Sequence, residues 1–189
     1  MDWRSIGDLL SAGEAHYDGL QNIIVWVKSN GGGMGSLYRS QHELVALFRH
    51  GKRPHKNNVA LGANGRNRTN VWQYPGANSA GCRADLKLHP TVKNLDMITE
   101  AIRDASDRGD LVLDGFAGSG TLLLAAERAG RRARLIELDP YYCDLIVERA
   151  RGVGLQGHLE RSGEDFQQAS VDRRAGAGPG ADAGMGRLQ

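Results

Sequence analysis

Two carboxylates separated by a glycine-rich turn and a helix are the side chains of this chain best placed to do chemistry. Asp114 follows the apolar run Leu111-Val112-Leu113, and Glu137 follows Arg134-Leu135-Ile136. Between them lie Gly115-Phe116-Ala117-Gly118-Ser119-Gly120-Thr121 and then an alanine- and leucine-rich stretch to Ala129. This order predicts strand, tight turn, helix and second strand, with an acid closing each strand. Gly118 and Gly120 let the backbone approach a ligand where a Cβ would collide. Glu137 can accept hydrogen bonds from two ribose hydroxyls, so the expected ligand contains adenosine.

Spacing separates the adenosine cofactors. A phosphate-cradling loop of the Gly-x-x-x-x-Gly-Lys-Ser/Thr kind would need lysine where Thr121 stands. A dinucleotide loop would need a third glycine, but Gly118-x-Gly120 runs on into Thr121, Leu122 and Leu123. S-adenosylmethionine carries no phosphate; it has a sulfonium, an ammonium and a carboxylate. Asp114 suits its cationic end, the helix N-terminus after Gly120 suits its carboxylate, and Phe116 can pack against it. A turn that merely joins strand to helix is the competing reading. The acid at both strand ends favours S-adenosylmethionine.

These residues need elements to position them. Ser5 to Leu20 reads as an amphipathic helix, with Ile6, Leu9, Leu10 and Leu20 on or near one face. Asn22 to Lys28 reads as a strand, Gly31, Gly32, Gly33 and Gly35 as a flexible loop, and Glu43 to Arg49 as a second strand. Asn94 should cap a helix with Leu95, Ile98, Ile102 and Ala105 on its apolar side, ending near Gly109. Strand 110–114, helix 120–129 and strand 132–138 follow. Asp139 and Pro140 should open a last helix as N-cap and first residue. Residues 153–189 form a polar tail, expected to be disordered beyond about 173 because glycine and alanine offer too little apolar surface to bury.

The bulk properties fit one α/β domain. The chain has 189 residues and a net charge of +2, enough for a sizeable core. Cys82 and Cys143 have no paired spacing, which points to a reduced, cytoplasmic protein rather than a disulfide scaffold or zinc site. No run approaches the roughly 18 apolar residues of a membrane helix, and no signal-peptide pattern is seen.

The near-neutral total hides an asymmetry. Residues 44–84 contain no carboxylate, although the chain has 22 of them. The same window holds Arg49, Lys52, Arg53, Lys56, Arg66, Arg68 and Arg83, several asparagines, His50, His55, Trp72 and Tyr74. Basic, amide and aromatic side chains together suit phosphate contacts, base-edge contacts and stacking. Charge runs are often no more than solvated loops, but the acid-free length favours nucleic acid. The two histidines are expected to face it rather than to bind metal.

At this point several motifs agree. The chain resembles the DNA amino-methyltransferases that modify adenine N6 or cytosine N4, in the permutation where the cofactor half follows the target-recognition half. Asp114-Gly115-Phe116-Ala117-Gly118-Ser119-Gly120-Thr121 is similar to that family's Asp-Pro-Phe-x-Gly-Ser-Gly-Thr motif. His89-Pro90-Thr91-Val92-Lys93 resembles its His-Pro-Thr-x-Lys-Pro signature, and Ile136-Glu137-Leu138-Asp139-Pro140 its ribose-binding strand. Trp26-Val27-Lys28 and Ser40-Gln41-His42-Glu43 resemble its strand pair near the target base. The match covers about residues 1–152, with 44–88 as target-recognition segment and 89–152 as cofactor part.

The resemblance implies an incomplete Rossmann-like fold with a mixed, mostly parallel sheet and flanking helices. It implies methyl transfer from S-adenosylmethionine to an exocyclic amine of a flipped base in double-stranded DNA, as in restriction-modification. His89, Thr91 and Lys93 would help enclose the methionine portion. Gly115 and Asn94 stand where the family has proline, and Leu122 where it has a second threonine.

The family's catalytic Asp-Pro-Pro-Tyr motif has no counterpart. Its acceptors hydrogen-bond the amine protons, and its aromatic stacks on the flipped base. The five prolines here, Pro54, Pro75, Pro90, Pro140 and Pro179, include no adjacent pair. The catalytic residues are therefore unknown; His42 with Glu43 could imitate an acid–base pair, but a strand-edge structural role is the better expectation. Met1-Asp2-Trp3-Arg4 reads like the middle of a strand, so a truncation before the catalytic motif is expected, with an exposed sheet edge prone to self-association. A non-catalytic remnant, a homodimer or subunit complemented by a partner, and a methyltransferase for RNA are the alternatives.

Overall fold

The computed structural model describes residues 1–32, 37–61, 63, 67–77 and 92–155. Within them the order is α1 (Ile6–His16), β1 (Gly19–Gly32), β2 (Ser40–Arg49), β3 (Val71–Gln73), α2 (Leu95–Ala105), β4 (Leu111–Asp114), α3 (Thr121–Ala129), β5 (Arg132–Leu135) and α4 (Pro140–Gly152). The expected tail, 153–189, lies outside the described residues from 156 onward.

The strands form two sheets. In the first, β1 is central, antiparallel to β2 and parallel to β3. In the second, β4 and β5 run parallel, with Asp114 opposite Leu135. Two of these three described pairings are parallel, so the sheet character is mixed and mostly parallel, though divided. The antiparallel hairpin starts from alternation in β1, where Ile24 and Trp26 turn inward and are buried. The hairpin is longer than its apolar run suggests. Gly32 still pairs with Ser40, so Gly31 and Gly32 belong to the strand rather than to the loop.

Helix α1 ends at His16, four residues short of the expected Leu20, which instead opens β1 opposite Phe48. Gly13 explains its close seat on the hairpin: a Cβ there would lie 2.0 Å from Phe48 Cζ. The second core lies between α2, α3 and the inner face of β4–β5. Ile102, Ala125, Ala126 and Ala129 are buried there, with Leu95, Ile98, Val112, Leu122 and Ala133 packed around them. Alanines on α3 let α2 approach closely. The other face of this small sheet, Leu111 and Leu113 beside Arg132 and Arg134, is exposed.

Helix ends follow side-chain chemistry. Asn94 Oδ1 accepts from Met97 N–H at 3.0 Å, and Asp139 Oδ1 accepts from Tyr141 N–H at 2.9 Å ahead of Pro140. Asn94, in place of the family's proline, is thus a helix cap, a role proline cannot fill. Helix α2 stops at Ala105 rather than near Gly109. The Asn58 amide takes the carbonyls of Arg103 and Ser106 from outside, at 3.1 and 2.7 Å. Strand β5 stops at Leu135 rather than Leu138 because Ile136 O accepts from Ala117 N–H and Glu137 folds back onto the turn.

Candidate functional site

The turn between β4 and α3 is held by its own backbone. Gly118 and Gly120 have φ of 53° and 77°, in the left-handed region where side chains are strained. Gly120 is doubly constrained, because a Cβ there would lie 2.8 Å from Ile146 Cγ1. Gly120 N–H reaches Ala117 O at 2.9 Å, and Asp114 Oδ1 accepts from Phe116 N–H at 3.0 Å. Asp114 therefore shapes the turn as well as lining it. Ser119 and Thr121 are buried with their hydroxyls 3.5 Å apart.

Glu137 is brought to this turn from the end of β5. Its Oε2 accepts from Gly118 N–H at 2.7 Å, and Oε1 accepts from Leu138 and Asp139 N–H at 2.9 and 3.0 Å. A backbone amide that would serve a phosphate in a dinucleotide loop here serves a carboxylate. An adjacent cavity of about 140 Å³ is lined by Val92, Lys93, Asp114, Phe116, Gly118 and Ser119, among others. Phe116 is 95 % exposed, so its ring is available to a ligand rather than to the core. Pockets that enclose a cofactor are about 300–1,000 Å³, so this cavity among the described residues is smaller than a whole cofactor needs.

The wall's chemistry is selective. Asp114 lines the cavity and Glu137 lies behind the turn on Gly118 N–H, so the two carboxylates would repel a pyrophosphate. The cation on this wall, Lys93, is already engaged: its Nζ lies 2.7 Å from Glu43 Oε2 on β2. Glu43 Oε1 also accepts from Lys28 Nζ at 2.6 Å. Burial pushes the Glu43 carboxyl up, but the two lysine hydrogen bonds and charges prevail and hold it at about 2. His89 and Thr91, expected beside Lys93, lie outside the described residues.

The basic segment divides. Lys52 and Arg53 are exposed, and Arg49 Nη1 donates to Gly51 O at 3.0 Å. Lys56 lies 2.9 Å from Asp107 and 2.5 Å from Asp110. Arg68 Nε lies 2.7 Å from Asp104, its Nη1 pairs with Glu100, and its guanidinium sits 5.5 Å above the Trp72 ring. Tyr74 Oη donates to Glu100 at 2.7 Å. Lys56 and Arg68, expected at a nucleic-acid surface, are thus engaged in fastening the segment to α2 and the turn after it; Trp72, also expected there, lies under the Arg68 guanidinium and pairs with Trp26 of β1. Arg66 lies outside the described residues. Residues 44–84 lack carboxylates, and the partners for these cations come from 100–110 instead.

Sequence reading missed Asn58 and the sharing of Glu43. For Glu43 a signal existed: Trp26 faces it across the ladder, and Lys28 lies two residues along on the same face. For Asn58 no local pattern marks it among five other asparagines of that segment.

A family model of DNA methylases matches residues 15–148. The type II methyltransferase M.HpaI of Haemophilus parainfluenzae is 30% identical over 142 residues, covering 67% of this chain and 43% of its own. The chain thus spans less than half the length of that curated relative. Among solved structures, the M1.HpyAVI–SAM complex superposes with a TM-score of 0.65 at 22% identity, over 82% of this chain and 72% of that one. TTHA0409 of Thermus thermophilus, solved in complex with S-adenosyl-L-methionine, gives 0.56 at 26% identity, over 80% and 61%. The shared fold is that of these methyltransferases.

Proposed function

The chain belongs to the N6/N4-methyltransferase family of DNA methylases, and from that premise we propose that its turn binds S-adenosylmethionine in the service of methylating an exocyclic amine of adenine or cytosine in double-stranded DNA. The observation that carries this reading is the pair of carboxylates, Asp114 and Glu137, bracketing a backbone turn opened by Gly118 and Gly120. The donor set fits this cofactor. Glu137 would take the ribose hydroxyls and Asp114 the cationic end. Phe116, Ser119, Gly120 and Thr121 would line the wall, with Lys93, His89 and Thr91 closing it. TTHA0409 lends support, since its structure was solved with this molecule.

When bound, the cofactor supplies an electrophilic methyl group on a sulfonium. The chain's own part is to bind, orient and exclude water. Backbone amides hold Glu137 in place before ligand arrives, so little ordering cost remains to be met on binding. The acceptor that would hold the amine protons is not among residues 1–189 in the family's Asp-Pro-Pro-Tyr form. In this reading the acceptor comes from a further segment, a complementing subunit or a group of another form. Arg49, Lys52, Arg53 and Arg66 would contact DNA phosphates, while Lys56, Arg68 and Trp72 would hold the segment that presents them. A cytoplasmic location goes with this substrate; no helix among the described residues is long and apolar enough to cross a membrane.

Isothermal titration tests the reading. S-adenosylmethionine should bind the folded chain, and Glu137→Ala and Asp114→Ala should each weaken binding at least tenfold. No heat at millimolar ligand would sink it.

A further inference from the structure

Lys93 lines the cavity, but its ammonium is held from outside the cofactor half. It belongs to the short link between buried Val92 and the α2 cap Asn94, while its Nζ reaches Glu43 in the middle of β2. Lys28 on β1 takes the other oxygen of the same carboxylate. Both ammoniums also face the Trp26 ring, at 5.0 and 5.7 Å. That ring is fixed: Trp26 is buried, and its indole N–H donates to Tyr74 O at 2.9 Å. We propose that Glu43 is a positioning residue of the cofactor cavity, fixing Lys93 from the neighbouring sheet with Lys28 as its second anchor, so that hairpin and cavity wall are set as one unit.

The physical case rests on three features. Charge-assisted hydrogen bonds of 2.6 and 2.7 Å to opposite oxygens of one carboxylate fix its orientation, which one bond would leave free to swing. The indole face adds attraction for both lysines, which share the carboxylate with the N-terminal ammonium of Met1, 4.0 Å from Glu43 Oε2. Removing the carboxylate leaves the two lysine ammoniums over one ring, with the N-terminal ammonium beside them, repelling one another. Lys93, being 42% exposed and at the end of a short link, is the one able to move. Its displacement alters the cavity wall. This coupling rests on the cofactor reading only for its effect on affinity; the mechanical link stands apart from it.

Two measurements on the full chain test the proposal. In titrations with S-adenosylmethionine, Glu43→Gln and Lys93→Met should each weaken affinity about tenfold, and the double variant no further than the worse single one. Glu43→Asp, which keeps the charge but loses reach, should fold and weaken affinity several-fold. Multiplicative effects, or wild-type affinity in Glu43→Gln or Glu43→Asp, overturn the proposal. Hydrogen exchange in the ligand-free protein provides the second readout. Glu43→Gln should speed exchange at Val92 and Lys93 several-fold while leaving 132–150 as in the wild type. Unchanged exchange there overturns it. If the wild type takes up no S-adenosylmethionine, the cofactor reading fails and the exchange measurement still decides the coupling.

Discussion

The turn at 114–121 and the basic segment at 49–74 are both rich in chemically active side chains, yet they are held in opposite ways. The turn is fastened mainly by its own backbone, with left-handed glycines and Asp114 on Phe116 two residues on, and by one carboxylate from farther off, Glu137 on Gly118. The basic segment is fastened by side chains that reach partners 26 to 54 residues away, such as Tyr74 to Glu100 and Lys56 to Asp110. A local device constrains the residues that form it, so it presents its polar groups in fixed positions to a ligand. A long-range clasp uses up the charges it employs. The difference teaches that a basic stretch in sequence overstates the positive charge available to a polyanion.

The sharpest way to test the comparison is at Gly120. Gly120→Ala forces a side chain into the left-handed region and against Ile146, so unfolding free energy should fall by about 3 kcal/mol in urea titration. A loss below about 1 kcal/mol would mean that neither the left-handed backbone nor the Ile146 contact constrains the turn. Next comes Arg68→Ala, which takes a shared cation away from Asp104 and Glu100. Asp104 is 14% exposed but Glu100 41%, so solvent screens part of the loss, and about 2 kcal/mol is expected. An unchanged midpoint would return Arg68 to the pool of DNA-binding charges.

Acid should weaken the contact between the hairpin and Lys93. The Glu43 carboxyl is held at about 2, below its ordinary 4.5. Its contribution to stability is therefore complete above pH 4.5 and lost as pH falls from there through about 2. The gap in melting temperature between wild type and Glu43→Gln should close across that interval; a gap independent of pH would contradict the charged pairing. The smallest effect on stability belongs to Lys52→Ala with Arg53→Ala, about 0.5 kcal/mol or less at exposed positions. The same pair should reduce the magnitude of the salt slope of DNA retardation by about 2, one phosphate contact each. A large stability loss with no change of slope would reverse the comparison.

Legibility in sequence followed the same division. The strand, glycine turn and helix of 111–129 were readable because each piece is set by its immediate neighbours, as were the Asn94 and Asp139 caps; the acid Glu137 was readable from its place after an apolar run. Boundaries failed where a distant group intervened. Asn58 ends α2 early by taking its last carbonyls, and Glu137 draws the chain off β5 after Leu135. Leu20 left α1 because strand pairing with Phe48 outweighed helical periodicity. The roles of Lys56 and Arg68 depend on which carboxylates the fold brings to them, and nothing in the spacing of residues 44–84 encodes that.

The reach of the clasp has a consequence for how the molecule comes into being. On a ribosome adding about 5–20 residues per second, Lys56, Asn58 and Arg68 are made some seconds before the carboxylates and carbonyls of 100–110 that receive them. During that interval the β1–β2 hairpin and the basic segment have neither α2 nor residues 111–152 to dock on. Helix α2 and the turn, whose contacts are mostly close in sequence, can form soon after synthesis, since short loops close quickly. Folding should thus be completed from the C-terminal half backward, with α2 as the template on which the earlier residues settle.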